Sequence, residues 1–289
     1  MWGVIWAVIV WLKAGLIAQQ EMWIPSALTL LSTYLMVELN NNNALIRIYS
    51  RTVSVSFLLL TCMASFNFAD IRGAVVTICA IGFYYLVFHT YQNSSLPGTT
   101  YYAFLIWGIA SVLWGQALFF VPILWLLMVF KLQSLSFRTF VASLLGLITP
   151  YWFGIVYCVV TENLPLFINH FTEIAVFGPI ADVSLCTLPL AIFFGCLAII
   201  TLLGMVHFLR TRQNDRIRIQ KFYECMILVA LAAWAFLVLQ PQHYRFLTGI
   251  IIVNIAPPIA HFIALTHTKW TNLTTMAIIV AVMIITLFV

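Results

Sequence analysis

The sequence predicts an all-α, polytopic transmembrane helix bundle of about eleven spans, and three observations carry that expectation. Only 7% of the residues are charged while 64% are hydrophobic, and the mean hydropathy is +1.07. A soluble domain has roughly 25% charged residues, so these few charges cannot cover a water-facing surface, and most of the outside must face lipid. Second, the apolar residues form long unbroken runs such as Val183–Met205 and Ala277–Val289. Barrel strands alternate over about ten residues, and only helices and closed barrels satisfy their backbone in hydrocarbon. Third, the basic residues sit in short loops between the runs, where membrane orientation is encoded.

Taken in order, the runs place spans near 2–18, 23–39, 52–68, 72–91, 101–113, 116–130, 139–160, 184–206, 222–240, 246–265 and 271–289. The first lacks a basic leader and a small-residue cleavage site, so it reads as a retained helix and not a signal peptide. Lys13 inside it must either snorkel to an interface or face other protein. Asn40–Asn43 is a polar stop after the second run, and Asp70 with Arg72 marks a tight turn between the third and fourth.

The stretch Tyr101–Phe130 carries no charge and fits either one long tilted helix or two short ones broken around Trp114–Gly115–Gln116. With two, Arg47, Arg51, Lys131, Arg138, Arg210, Arg212, Arg216, Arg218, Lys221 and Lys269 all fall on one side. That side is then the cytoplasm. The N-terminus is cytoplasmic, the C-terminus external, and the chain a single integral membrane domain. It has a basic cytoplasmic loop at 207–221 and a long external loop at 161–183. Within the latter, Leu164–Phe177 mixes apolar and polar residues and is expected to lie as a short interfacial helix.

Several functional classes are excluded. No basic stripe with interleaved aromatics points to nucleic acid. There is no phosphate-cradling glycine loop, no nucleophile elbow and no cluster of metal ligands, so neither metal nor cofactor is implied. Cys62, Cys79, Cys158, Cys186, Cys196 and Cys225 lie in or beside apolar runs with no Cys-x-x-Cys pair, as small buried residues do. The sequons at Asn93 and Asn272 fall on the cytoplasmic side, which argues against glycosylation.

Three features carry candidate chemistry. Asp70, Arg72, Glu162, His170, Glu173, Asp182, His243 and Arg245 all lie in external connections. They either line an outer cleft, with a carboxylate as base and an arginine on a phosphate, or are solvated loop charges. In the tenth span, Pro257 and Pro258 are expected to break the helix, and Asn254 and His261, seven apart, share one face. Such a break lines a substrate site, or it is a kink whose polar residues bond across helices. The Arg210–Lys221 stretch is either an anionic-lipid contact or an orientation signal. Ser111 with Gly115 and Ala142 with Gly146 have the spacing of close helix packing.

The residues Leu-Asn-Asn-Asn-Asn-Ala-Leu-Ile-Arg at 39–47, Gly-Ile-Ala-Ser at 108–111, Phe137-Arg138 and Leu-Gly-Leu-Ile-Thr-Pro-Tyr at 145–151 resemble a family of multi-pass inner-membrane proteins of Bacteroidetes. That resemblance implies the bacterial inner membrane and brings no catalytic residues. The Gly-x-Ala segment at 108–110 and the Leu-x-x-Pro-Tyr ending at 147–151 are also similar to GT-C glycosyltransferases, which use polyprenyl-phosphate sugar donors. Their catalytic acids lie in a long first external loop. Here that loop is short and offers only Glu21, with Asp70 in the next external turn.

The expectation is therefore an inner-membrane protein supporting the cell envelope as partner or scaffold of another membrane component. A GT-C-like transferase or glycan polymerase is the alternative, with Asp70 or Glu21 as base and Arg72, Arg245 and His243 on the substrate. A lipid or small-solute transporter using Asn254 and His261 is the other. Membrane lipids, a polyprenyl-phosphate-linked glycan and another membrane protein are the partners these readings imply.

Overall fold

The computed structural model describes residues 2–16, 22–48, 50–179, 187–266 and 269–288, and among them every regular element is helical. In chain order these are α1 (Trp2–Lys13), α2 (Trp23–Asn43), α3 (Thr52–Met63), α4 (Ile71–Val87), α5 (Pro97–Leu113) and α6 (Val121–Phe130). There follow α7 (Phe137–Val160), α8 (Leu164–Ala175), α9 (Leu188–Thr211), α10 (Ile217–Leu239), α11 (Tyr244–Leu265) and α12 (Lys269–Phe288). Five stretches are long and apolar enough to cross a membrane: Ile71–Thr90, Phe137–Val160, Leu188–Asn214, Ile217–Leu239 and Pro241–Leu265. Gly3–Lys13, Thr52–Met63, Gly115–Phe130 and Thr271–Thr286 are apolar but shorter.

Helix ends follow local chemistry. Asp70 caps α4, its Oδ1 accepting from the Gly73 amide at 3.1 Å. A reciprocal Ser136/Thr139 box starts α7, and Pro97 occupies the first turn of α5, where its missing N–H costs nothing. After Asn43, Ala44 takes the left-handed conformation (φ 50°) and stops α2.

The uncharged 101–130 stretch is two antiparallel pieces. Trp114 is extended, a 3-10 turn covers Gly115–Phe120, and the Trp107 indole N–H donates to the Ala117 carbonyl at 3.1 Å. At the far end the Gln92 amide donates to the Leu132 carbonyl at 2.8 Å, so α6 returns to where α5 began. Helix α7 lies against α5 with backbones nearly touching: a Cβ on Gly146 would collide with the Tyr101 carbonyl, and one on Gly108 would sit 2.9 Å from the Leu147 carbonyl.

Helix α11 is the axis of the bundle. It packs against α3, α4, α9 and α10, and nearly every side chain from Leu247 to Ala264 is buried. The expected break at Pro257 and Pro258 does not occur, because α11 runs unbroken from Tyr244 to Leu265. Two effects hold it. The Tyr223 hydroxyl donates to the Pro257 carbonyl at 3.4 Å, and α9 closes in at Gly204, where a Cβ would meet the Ile259 nitrogen at 3.1 Å. A proline helix packed on all sides has no room to open.

Loop contacts sort into two ends. At the upper end Asn67 donates to the Arg245 carbonyl, Trp114 to His243, Gln116 to the Glu173 carbonyl, and the Gly178 amide to Gln240. At the lower end Arg47 reaches the Asn214 carbonyl, Arg218 reaches Asn43, and Ser136 reaches the Ser94 carbonyl. Among the described cysteines, Cys62, Cys79, Cys158 and Cys225 are buried and free, and Cys196 is free and half-buried.

Candidate ligand-binding cleft

The upper end opens into a cleft of about 680 Å³. Its floor is the break between α5 and α6, where the extended Trp114 turns the chain and Gly115 and Gln116 follow. Helix α7 supplies one wall through Tyr151, Gly154, Tyr157 and Cys158, and α8 lies across it with Asn169, His170 and Glu173. Arg72, in the first turn of α4, and His243 with Phe246, at the start of α11, complete the rim.

Local sequence explains why these parts meet. Gly115 is required by closeness: a Cβ there would lie 2.5 Å from Ile174 Cγ1 and 3.4 Å from His170 Cε1, so any side chain would push α8 away. The Gln116 amide then ties α8 down by donating to the Glu173 carbonyl at 3.3 Å. Helix α8 has no fully buried residue and exposes Leu164, Leu166, Ile168 and Phe171, the pattern of a helix lying along an interface. The indole of Trp114 stacks on Phe246 with centroids 5.3 Å apart, and its N–H donates to His243 Nδ1 at 3.3 Å. Tyr151 is held by a bond from its hydroxyl to Ser111 at 2.9 Å.

The two charged groups of the cleft, Arg72 and Glu173, are exposed. Neither makes an ion pair among the described residues, and His170 Nε2 is buried without a hydrogen-bond partner. An unsatisfied buried donor or acceptor costs about 1–3 kcal/mol. That cost is recovered when a ligand supplies the missing partner. One guanidinium, one carboxylate, two imidazoles and several aromatic faces suit a headgroup bearing an anion and hydroxyls, attached to an apolar tail.

The structure brings Arg72, His170, Glu173 and His243 together and leaves other candidates out. Asp70 does not line the cleft, and its carboxylate is occupied as the α4 cap. Arg245 points elsewhere, its Nε donating to the Tyr244 hydroxyl at 3.3 Å. Glu162 sits exposed in the turn after α7 (φ 54°). Glu21 and Asp182 lie outside the described residues.

Asn254 and His261 are deep in α11, and each has a partner, although His261 Nδ1 is buried with none. Asn254 donates to the Ile250 carbonyl at 2.8 Å and accepts from the Tyr84 hydroxyl. His261 Nε2 lies 2.9 Å from Asp215 Oδ2, both side chains almost wholly buried. Sequence reasoning missed Asp215, an acid among basic neighbours, and missed Tyr151 and Phe246, which carry no mark of the cleft. The legible signals were the break at Trp114–Gly115–Gln116 and the external Arg72, His170, Glu173 and His243. A second cavity, about 50 Å³, lies below among Thr29, Ser32, Thr61, Thr77 and Thr248 and has room only for water-sized guests.

No protein-family model matches the chain, and no curated protein or solved structure is similar to it. The cleft therefore speaks through its chemistry alone.

Proposed function

We propose that this is an integral protein of the bacterial inner membrane that supports the cell envelope by holding a lipid-linked anionic ligand, of the polyprenyl-phosphate-glycan class, in the upper cleft. The observation that carries this is the cleft itself: Arg72, His170 and Glu173 gather without ion pairs around a large space beneath an interfacial helix. The tail would lie in the membrane beside α7 and α8, whose Trp152, Val156, Val160 and Ile168 are exposed and apolar. Arg72 would hold the phosphate, and the faces of Trp114, Tyr151 and Tyr157 would receive sugar rings or the first isoprene units.

The loop grouping supports a bundle of about eleven spans with α8 lying along the external interface. Arg47, Lys131, Arg212, Arg218 and Lys221 all belong to the lower end, as a cytoplasmic face requires. In the transferase form of the proposal, the base within reach is Glu173 rather than Asp70, since only Glu173 lines the cleft. The transport form has less behind it, because α11 is unbroken and Asn254 and His261 Nε2 bond to other residues of the bundle.

The test is lipid mass spectrometry on gently purified protein, beside the Arg72→Ala variant. A polyprenyl-phosphate species enriched with the native chain and at least tenfold depleted with the variant is the expected result. Ordinary phospholipids alone, in equal amount with both, would refute it. Labelling of single cysteines at positions 173 and 214 checks the orientation, with 173 reached from outside and 214 only from the cytoplasm.

A further inference from the structure

At the lower end, three cations converge on one carboxylate. Lys131 Nζ lies 2.8 Å and Lys221 Nζ 3.3 Å from Glu224 Oε2, and Arg212 Nη1 lies 3.4 Å from Oε1. The three come from separate parts of the chain: the end of α6, the α9–α10 connection and the first turns of α10. Only Glu224 is nearly buried, its side chain 13% exposed against 30%, 46% and 34% for Lys131, Arg212 and Lys221.

Charge does not balance there. One carboxylate against three cations leaves an excess of two positive charges. Lys131 caps the C-terminus of α6 and Arg212 that of α9. These two helix ends each supply roughly half a negative charge, and the start of α10 returns about half a positive one, so a positive excess remains. Repulsion among cations this close calls for one further anion.

What lies beside the cluster says which anion. Immediately before Lys131, α6 exposes Leu126, Val129 and Phe130, and one turn past Glu224, α10 exposes Leu228 and Leu231. Helices α6 and α10 are in contact, and both expose apolar side chains within two turns of the cations. Cations beside exposed apolar side chains have the form of a phospholipid site.

We propose that Lys131, Arg212 and Lys221 bind the phosphodiester of an anionic phospholipid whose acyl chains lie against α6 and α10. The lipid class follows from charge. A phosphodiester with an uncharged alcohol, as in phosphatidylglycerol, supplies a compensating negative charge. Phosphatidylethanolamine and phosphatidylcholine carry their own cation, which would be pushed against Lys131 and Arg212. This site is separate from the upper cleft and does not depend on what that cleft holds.

The experiment is native mass spectrometry of the detergent-solubilised full chain with phosphatidylglycerol, phosphatidylcholine or inorganic phosphate at equal concentration. The wild type is expected to retain phosphatidylglycerol at least tenfold over phosphatidylcholine, with no adduct from phosphate alone. The K131Q/K221Q pair should fall below twofold selectivity while the K131R/K221R pair keeps it, which separates lost charge from lost folding. R138Q, which removes a basic residue outside the cluster, should behave as wild type. Equal loss in R138Q, unchanged selectivity in K131Q/K221Q, or a phosphate adduct matching the lipid would each overturn the proposal.

Discussion

The two ends of the bundle differ in where their charged groups sit, although each also holds buried polar atoms without a partner, Asn40, Ser134, His207 and His261 at the lower end and Asn67 and His170 at the upper. At the lower end nearly every buried charge has a partner: Asp215 with His261 at 2.9 Å, and Glu224 with Lys131, Lys221 and Arg212. At the upper end Arg72 and Glu173 are exposed at the cleft and make no ion pair among the described residues, and His170 Nε2 is buried without a partner. Partnered groups in a low-dielectric setting clamp helices together, and breaking one leaves an uncompensated charge. Side chains that face a cavity without a protein partner are available to a ligand. The lower end clamps its buried acids, and the upper end leaves charged side chains facing a large open space.

The sharpest way to break this contrast is His261→Leu. It leaves the Asp215 carboxylate buried without its partner, and losing one side of such a pair costs about 3–5 kcal/mol. A large fall in thermal unfolding temperature in detergent is expected, and a shift within a degree of wild type would mean the pair is not a clamp. Arg72→Ala should do the reverse. Stability should stay within about 0.5 kcal/mol, while ligand affinity falls roughly tenfold or more, the worth of one charge-assisted contact. Loss of folding with Arg72→Ala would erase the distinction between the ends.

Gly115→Ala probes how the cleft is closed. The added methyl must displace Ile174, at a cost of about 1–3 kcal/mol. The displacement should appear as faster hydrogen exchange confined to 164–175, and exchange changes spread through α11 instead would assign Gly115 to the core. The smallest effect is expected from Asp70→Ala. Losing an N-cap costs about 1 kcal/mol, and cleft binding should be untouched. Binding lost with Asp70→Ala and kept with Glu173→Gln would return the acid role to Asp70.

Much of the architecture could be read from local chemistry. Hydropathy of consecutive residues decides what can sit in lipid, and the runs so identified became helices, with the turn at Trp114 and the short α8 where composition placed them. Charge placement likewise sorted the connections into the two sets that the structure brings together. These properties add up along the chain and need no knowledge of neighbours.

Pairings between distant residues do not add up that way. His261 meets Asp215 across 46 positions and Trp114 meets His243 across 129, and each depends on how whole helices are rotated and offset. The same holds for Pro257 and Pro258, whose chemistry favours a break that packing on every side of α11 prevents. It holds for Asp70, an attractive acid on paper whose carboxylate is spent on the amide of Gly73. The sequence by itself determined that the chain is helical, with helices apolar enough to cross a membrane, and roughly where each starts and stops. Only the tertiary structure decided which polar groups were consumed in holding helices together and which were left over to form a cleft. Helix formation is set within a few turns of chain, whereas the partner of a buried charge is chosen by the register of helices far apart in sequence.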